Sequence, residues 1–328
     1  MKALVARGYG GVELLELTDV PVLVPGPGQI QVRIAAAGLN PADLRLVSGV
    51  FREAAPLTFP HVLRGDFAGT VTRTGEGVER FAPGDEIFGF GLVRSAGSMA
   101  SVAAMPPSFT TGTMAEYALF EADTPALAHL PAGLAAGQAA ALPTAALTAL
   151  PLLRAWDFTA GTKVLVIGAA GGVGGAVVPL LAARGVHVIA TAIPADEGYV
   201  RGLGAAEVID YRSVEVTDET LRRHPEGVDA LVNLALPGTS LPAAARAVRP
   251  GGRLLNIAFP GPGPDSGFET VYTKARPGDL EEVGALAVKG VLPDTVTRRY
   301  DLDEGVRAYT DLAHEHVRGK LLVTVSAG

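Results

Sequence analysis

Residues 163–192, KVLVIGAAGGVGGAVVPLLAARGVHVIATA, carry the strongest indication of the fold. An apolar, β-branched run (164–167) meets a cluster of glycines, a helical pattern follows, and Gly185 precedes a second apolar run (186–190). Glycines let the backbone turn sharply, and the start of a helix presents unpaired N–H groups to an anion. Strand, glycine-rich turn, helix and strand in this order predict a unit that binds the pyrophosphate of a dinucleotide.

Charge and composition narrow the classes of function. The 328 residues include 27 basic and 34 acidic ones, and the net charge of −7 argues against a surface for nucleic acid. The N-terminal segment lacks the apolar region of a signal peptide, and the uncharged stretch 134–153 is Ala-rich and interrupted by prolines, which favours buried helix over a membrane span. The absence of cysteine excludes disulfides and thiolate zinc sites. We therefore expect a cytoplasmic protein of two domains that contacts neither membrane nor nucleic acid.

The first part of the chain is β-rich. Short apolar runs separated by Gly, Pro and Asp turns predict a barrel-like or sandwich unit with strands at 2–6, 29–35, 67–73, 86–90 and 115–121. Residues 125–156 then change to an Ala/Leu-rich helical composition. The long, charge-poor segment 91–112 interrupts this part, and it is either a functional loop or a surface excursion.

From residue 163 the pattern alternates between strands and helices, which predicts a doubly wound parallel sheet. Its strands are expected at 164–167, 186–190, 207–210, 229–235 and 253–259, with a sixth candidate at 268–274. After residue 276 we expect two helices and a last strand, at 279–289, 303–316 and 320–325.

Further blocks occur in order along the chain: AAAGLNPADLRLVSG (35–49), GDFAG (65–69), GAAGGVG (168–174), LGAAEVIDY (203–211), RPGGRLLNIA (249–258) and RGKLLVTV (318–325). Together they resemble the medium-chain dehydrogenase/reductase superfamily, in its zinc-free NADPH:quinone oxidoreductase (zeta-crystallin-like) family. The resemblance implies an α/β fold with a GroES-like β-rich catalytic domain (1–123 plus 277–328) and a Rossmann dinucleotide-binding domain (124–276).

The glycine cluster also fits the short-chain dehydrogenase pattern G-x-x-x-G-x-G, through Gly168, Gly172 and Gly174. That interpretation fails because a whole domain precedes the motif, whereas short-chain folds begin with it. They also need a catalytic Tyr with Lys four residues later, and none of the seven tyrosines meets this condition.

The choice of cofactor depends on the end of the second strand. NAD-specific folds usually place an acid there to accept from the ribose 2′-OH, whereas this chain has the neutral Thr191, which favours NADPH. NADPH-binding members of the family often carry a Lys where this chain has Asp196, and Arg201, Arg212 or Arg318 could replace it. By resemblance, the cofactor-binding residues are Thr148, Gly168, Ala169, Gly171, Gly172, Val173, Gly174, Thr191, Tyr211, Asn233, Ile257, Phe259 and Arg318.

The expected chemistry follows from missing zinc ligands. Where zinc members of the superfamily have a His–Glu pair, this chain has Gly65 and Asp66, and His61 nearby does not complete an open zinc site. We therefore predict no metal ligands and a hydride transfer from NADPH to a quinone or an α,β-unsaturated carbonyl. The resemblance implies that Asn40 hydrogen-bonds the acceptor carbonyl, or instead forms an Asx-type turn. Phe51 is expected either to stack on the flat ring of an acceptor or to pack in the core.

Two other functions and a dimeric assembly are also considered. A non-catalytic NADPH-binding sensor or crystallin-like protein and an enoyl-thioester reductase are the alternatives. The histidines at 129, 187, 224, 314 and 316 show no catalytic constellation, and His187 starts a strand. The strand predicted from Phe268 to Lys274 lies at the sheet edge, which predicts a homodimer through this edge.

Overall fold

The computed structural model describes residues 1–53, 56–91 and 112–326, so almost all of the segment 91–112 lies outside the described residues. The chain forms two compact units. The first comprises Met1–Leu147, Thr273–Lys289 and Asp294–Gly328, and the second comprises Thr148–Tyr272 and Gly290–Pro293. The boundaries between the units therefore fall at 147/148 and 272/273, with a short return at 289/290 and 293/294, whereas the domain boundaries expected from the sequence were 123/124 and 276/277. Among the helices of the described residues, none combines the length and apolar character that crossing a membrane requires.

The N-terminal part of the first unit consists of strands with short helices, and the last of these helices continues into the second unit. In chain order these elements are β1 (Lys2–Ala6), β2 (Leu15–Asp19), β3 (Gln29–Gly38), α1 (Pro41–Val47), β4 (His61–Val62), β5 (Asp66–Thr74), β6 (Glu86–Phe90), β7 (Tyr117–Glu121), β8 (Leu127–His129), α2 (Ala136–Ala139) and α3 (Pro143–Ala155). The β-rich prediction is confirmed. The helical region predicted to begin at residue 125 begins later, because β8 occupies its first residues.

The second unit alternates strands and helices as predicted. Its elements are β9 (Lys163–Ile167), α4 (Gly174–Ala182), β10 (His187–Thr191), α5 (Glu197–Gly202), β11 (Glu207–Ile209), α6 (Val216–Arg223), β12 (Val228–Asn233), α7 (Leu241–Ala245), β13 (Val248–Asn256) and β14 (Glu269–Thr270). The sixth strand is thus two residues long instead of the seven predicted.

The chain then returns to the first unit through α8 (Asp279–Val288), β15 (Val296–Asp301), α9 (Gly305–His314) and β16 (Lys320–Thr324). The two helices and the last strand confirm the prediction for this part of the chain. Strand β15 was not predicted, although it pairs in parallel with β16 along its whole length.

Antiparallel pairing in the first unit brings the polar residues of interest together. Its larger sheet has the order β15-β16-β3-β5-β6-β8, with β7 also on β3, and a smaller sheet has the order β2-β1-β4. Gly38 at the end of β3 pairs with both Asp66 and Leu322. Extending that register places Lys320, the first residue of β16, opposite Asn40. The starts of β5 and β16 therefore meet at the end of β3.

The sheet of the second unit is parallel throughout, with the order β11-β10-β9-β12-β13-β14. This order, in which the direction of winding reverses between β9 and β12, is that of the Rossmann fold. The carboxyl ends of all strands lie on one side of a parallel sheet, where such folds bind nucleotides. The amino ends of the strands lie on the opposite side, where His187 and Glu207 begin their strands.

Each unit has its own apolar core. In the first unit the rings of Phe67 and Phe120 stack at 4.3 Å between centroids, and Tyr309 of α9 is fully buried against the same cluster. In the second unit Leu165, Ile189 and other aliphatic side chains of the parallel strands are buried. Burying side chains of this size contributes about 1.5–3 kcal/mol each, so each core holds its polar sites in place.

Candidate functional site

The glycine-rich turn follows β9 and has the backbone geometry that its sequence predicts. Gly168 has φ +85°, a conformation that residues with a side chain rarely adopt. Its N–H donates to Thr191 Oγ1 at 3.2 Å, which ties the turn to the end of β10. A Cβ on Gly174 would lie 2.2 Å from Ala169 O, so the turn packs against the start of α4 only with glycine there.

The start of α4 offers donors to an anion. The N–H of Gly171 donates to Gly168 O at 3.2 Å, whereas the N–H groups of Gly172 and Val173 have no acceptor within the described residues. They lie at the N-terminus of α4, where the helix dipole also favours negative charge. A dinucleotide phosphate fits these donors.

Two predicted cofactor residues at the neighbouring strand ends are engaged with each other. Asn233 Nδ2 donates to Asn256 Oδ1 at 2.7 Å and to Leu236 O at 2.9 Å. Ile257 N–H donates to Asn233 O at 3.0 Å. Phe259 is 46% exposed. The side chain of Asn233 thus shapes this edge of the sheet, and any contact with a cofactor would come from backbone groups.

The residues predicted to select the cofactor differ in exposure. Thr191 is buried at the end of β10, whereas Tyr211 after β11 is 44% exposed. Arg201 pairs with Glu197 at 2.8 Å, while the guanidinium of Arg212, an exposed residue, has no partner within the described residues. Arg318 is an exposed residue of the first unit.

A buried ionic network lies in the first unit. Lys320 Nζ donates to Asn40 Oδ1 at 2.7 Å, to Leu39 O at 2.8 Å and to Asp66 Oδ2 at 3.2 Å. Asp66 Oδ1 accepts from the N–H and the hydroxyl of Thr144 at 2.9 and 2.6 Å. Asp66 is fully buried and Lys320 is 4% exposed. We call Asn40, Asp66, Thr144 and Lys320 the lysine network.

Asn40 is a member of this network and is 5% exposed. Its Nδ2 donates to Asp66 Oδ2 at 3.2 Å and reaches Gly38 O at 3.5 Å, the limit for a hydrogen bond. Its backbone begins α1, where its N–H donates to Asp43 Oδ2 at 2.9 Å. Asn40 therefore caps a helix, and only one amide hydrogen is weakly held.

Asp43 is a second buried carboxyl beside the network. Burial, with a smaller contribution from the nearby Asp66 charge, raises the pKa of Asp43 to about 7, while the Asn40 N–H and the charges of Arg64 and Lys320 oppose the rise. Tyr309 OH donates to Asp43 Oδ2 at 3.3 Å, and burial raises the pKa of Tyr309 well above its usual value. The carboxyl of Asp43 thus titrates near neutral pH inside the protein.

Two further residues named by the sequence analysis lie in the first unit. Burial lowers the pKa of His61 to about 4, and the charge of Arg64 adds to this effect, so His61 is neutral at pH 7. Phe51 is partly buried against the apolar core. Thr148, on α3, is buried in the second unit.

The structure also brings together two histidines that the sequence analysis treated separately. His187 Nε2 and His224 Nε2 lie 2.7 and 3.0 Å from the same oxygen, Oε1 of Glu207. Arg223 Nη1 lies 3.3 Å from the other oxygen, Oε2. We call His187, Glu207 and His224 the histidine cluster.

Lys320 and Glu207 are the residues that sequence reasoning missed. Lys320 was seen only as part of the block 318–325, and its partner Asp66 is 254 residues away. An unexplained Lys at the start of an apolar strand was the available signal, because a buried lysine needs a counter-ion. For Glu207 there was no local signal, because it meets His187 and His224 only where two strands and the end of a helix come together.

Comparison with known families agrees with this geometry. Residues 26–132 match the family described as alcohol dehydrogenase GroES-like domain. Residues 203–323 match the family described as zinc-binding dehydrogenase.

Relatives and solved structures cover nearly the whole chain. The chloroplastic quinone-oxidoreductase QR1 of Triphysaria versicolor is 30% identical over 98% of both chains. The chloroplastic NADPH-dependent alkenal/one oxidoreductase of Arabidopsis thaliana is 31% identical over 98% of this chain and 79% of the relative. The structure of the quinone oxidoreductase from Coxiella burnetii is 27% identical with a TM-score of 0.86 over 99% of both chains. This chain therefore belongs to the medium-chain dehydrogenase/reductase superfamily, in its quinone oxidoreductase family.

Proposed function

We propose that this protein is a zinc-independent, NADPH-dependent reductase that transfers hydride to a quinone or an α,β-unsaturated carbonyl. The observation that carries the proposal is the set of bonds made by Asp66. An open zinc site needs three protein ligands, and Asp66 already accepts four hydrogen bonds while the chain contains no cysteine. These bonds support a reaction without zinc at this position, for which we expect an acceptor that is electrophilic without a metal, as quinones and enones are.

The described residues fit the cofactor. The N–H groups of Gly172 and Val173 would hold the pyrophosphate, and Gly168 keeps the turn in its left-handed conformation. When bound, the nicotinamide supplies the hydride. The chain binds and orients the two reactants and excludes water.

Asn40 is proposed to bind the carbonyl of the acceptor. The ammonium of Lys320 holds Asn40 Oδ1 at 2.7 Å and thereby polarises the amide, which makes Nδ2 a stronger donor. One Nδ2 hydrogen is directed at Asp66, and the other is held only weakly by Gly38 O at 3.5 Å. Turning that hydrogen to the acceptor oxygen would stabilise the negative charge that develops during reduction.

NADPH is proposed over NADH on two observations. Thr191 places a neutral side chain where NAD-specific folds have an acid, so nothing at that position repels a 2′-phosphate. After the next strand, Arg212 presents an exposed guanidinium without a described partner, next to the exposed ring of Tyr211. An arginine and a tyrosine can both donate to a phosphate.

Steady-state kinetics test the activity. Purified protein is assayed with NADPH against a panel of 1,4-quinones, enals, enones and enoyl thioesters, and NADPH binding is measured in parallel. We expect turnover with a quinone or an enone. Measurable NADPH binding without turnover of any acceptor would contradict a reductase and support the non-catalytic sensor. Turnover of enoyl thioesters alone would support the enoyl-thioester reductase.

An arginine pair tests the cofactor choice. Arg212→Ala should weaken NADPH binding about tenfold or more, because a charge-assisted hydrogen bond to the phosphate contributes about 1.5–3 kcal/mol, and should leave NADH binding unchanged. Arg201→Ala is the matched control, since Glu197 already holds that side chain. Equal affinity of the wild-type protein for NADH and NADPH, or an equal loss for both cofactors, would contradict the assignment.

The assembly is also a proposal. Strand β14 is the last strand in the sheet order and leaves an edge that a second copy could extend. We expect a homodimer by light scattering at micromolar concentration. A monomer under those conditions would contradict it.

A further inference from the structure

The histidine cluster joins three elements at the amino ends of the strands of the parallel sheet. His187 is the first residue of β10, Glu207 is the first residue of β11, and His224 directly follows α6. Ile189 pairs with Glu207 across the two strands. Because His187 precedes Ile189 by two residues, its side chain projects from the same face of the sheet as that of Glu207.

The geometry of the cluster is that of a ligand set. Both Nε2 atoms are aimed at the single oxygen Oε1, at 2.7 and 3.0 Å, and one ligand atom from each residue lies within 4.8 Å of the others. Ligand atoms around a tetrahedral zinc ion are about 3.3 Å apart, given bonds of about 2.0–2.1 Å. The two Nε2 atoms would have to move away from Oε1 by a few tenths of an ångström to reach that spacing, which leaves room for an ion between the three atoms.

We propose that His187, Glu207 and His224 bind a divalent transition-metal ion of the zinc type through Nε2, Oε1 and Nε2. Two imidazoles and one carboxylate suit Zn²⁺ and neighbouring transition metals, whereas Mg²⁺ and Ca²⁺ prefer sites made of oxygen. Coordination uses the Nε2 lone pairs of neutral imidazoles, with the ring N–H on Nδ1. Water would complete the coordination, and His187, with 38% of its side chain exposed, leaves a path for it.

The surrounding charges are compatible with this site. Arg223 Nη1 holds Glu207 Oε2 at 3.3 Å, which orients the carboxylate and leaves Oε1 for the metal. The guanidinium of Arg223 is itself paired with Glu219 at 2.7 Å, and Glu219 also binds Arg222. These ion pairs offset part of the positive charge that would otherwise repel a cation.

The position of the site assigns it a structural role. His187 begins β10 and Thr191 ends it, so the cluster lies about 13 Å along the strand from the edge that carries the glycine-rich turn. A bound ion would fasten the edge strand β11 to β10 and to the end of α6. The inference is independent of the proposed reductase activity, because no member of the cluster belongs to the lysine network or the glycine-rich turn.

Metal titration of the full-length, tag-free protein tests the proposal. Isothermal titration with Zn²⁺ should show one ion bound per chain, with an upward shift of several degrees in the melting temperature of the second unit. Tetrahedral Co²⁺ should give visible d–d absorption. The variant H187Q/H224Q should lose at least 100-fold in Zn²⁺ affinity, whereas His314→Gln, an exposed histidine of the first unit, should leave it unchanged.

Two results would overturn the proposal. One is the absence of stoichiometric Zn²⁺ or Co²⁺ binding to wild-type protein that is folded by circular dichroism. The other is equal Zn²⁺ affinity of wild type and H187Q/H224Q. Circular dichroism and thermal unfolding of the same double variant, in the presence of a chelator, show whether it is folded. A folding defect shifts the test to Glu207→Gln, for which an unchanged affinity would also overturn the proposal.

Discussion

The lysine network and the histidine cluster are both ionic, yet they are built for different conditions. Lys320 and Asp66 are 4% and 0% exposed, and every oxygen of Asp66 already has donors. In the histidine cluster the side chains of His187, Glu207 and His224 keep 38%, 23% and 11% of their surface exposed. The carboxylate of Asp66 is closed to any further ligand, whereas the second site has donors directed at one shared oxygen and access to solvent.

The burial of the charged groups determines what each site can do. Removing one partner from a buried, saturated ion pair leaves an uncompensated charge, so such a pair fixes one conformation. A partly exposed pair is screened by water and contributes little by itself. The lysine network therefore holds the end of β3 and the starts of α1, α3 and β16, while the histidine cluster has the freedom to exchange its hydrogen bonds for a metal.

The largest effect is expected from Lys320→Met. This change leaves Asp66 buried without its counter-ion and should lower the free energy of unfolding by about 3–5 kcal/mol, measured by urea denaturation of the first unit. Lys289→Met removes an exposed lysine and should stay within about 0.5 kcal/mol of wild type. A loss below about 1 kcal/mol for Lys320→Met would show that the network is not a tight ion pair.

The next effect concerns the pH dependence of stability through Asp43. Its folded pKa is about 7, above the unfolded value, so its stabilising contribution is complete below about pH 4 and is lost as the pH rises to 7. Asp43→Asn cannot titrate. The free energy of unfolding of Asp43→Asn minus that of wild type should therefore increase between pH 4 and 8, by up to about 4 kcal/mol.

Chemical denaturation of both proteins at several pH values measures this trend. Asp19→Asn, at an exposed position, serves as the control and should show no comparable trend. A difference between Asp43→Asn and wild type that does not change with pH would contradict a buried carboxyl with a raised pKa.

The smallest effect is expected in the histidine cluster without metal. Glu207→Gln weakens partly exposed hydrogen bonds to two histidines and to Arg223, and should cost only about 1 kcal/mol in the presence of a chelator. Thermal unfolding of the second unit measures it. A loss as large as that of Lys320→Met would remove the contrast between the two sites.

The sequence predicted the second unit better than the first. Its parallel strands are continuous apolar runs between turn residues, so their number and order follow from the pattern, and the glycines of 168–174 form the predicted turn. In the first unit β15 was missed because its sequence, VTRRYD, has only two apolar residues, separated by three consecutive polar ones, and so lacks the alternation that marks a strand. In the second unit, strand β14 was predicted too long, since only Glu269 and Thr270 pair with β13.

The site was less predictable than the fold. Asn40 was singled out by the sequence, but the bonds that hold it come from Lys320, at the far end of the chain. Two residues 280 positions apart meet only through the antiparallel register of β3 and β16. No local pattern encodes that register. The meeting of His187 with His224 is hidden as well, because it depends on how the end of α6 lies beside two parallel strands.

The most direct test of the account is the reductase activity of metal-stripped protein. Protein treated with a chelator and dialysed is assayed with NADPH and a 1,4-quinone, with and without added Zn²⁺, beside the H187Q/H224Q variant. We expect the same kcat/KM in every case, because the proposed hydride transfer needs no metal and the histidine cluster lies away from the glycine-rich turn. Loss of activity on chelation that Zn²⁺ restores would contradict it.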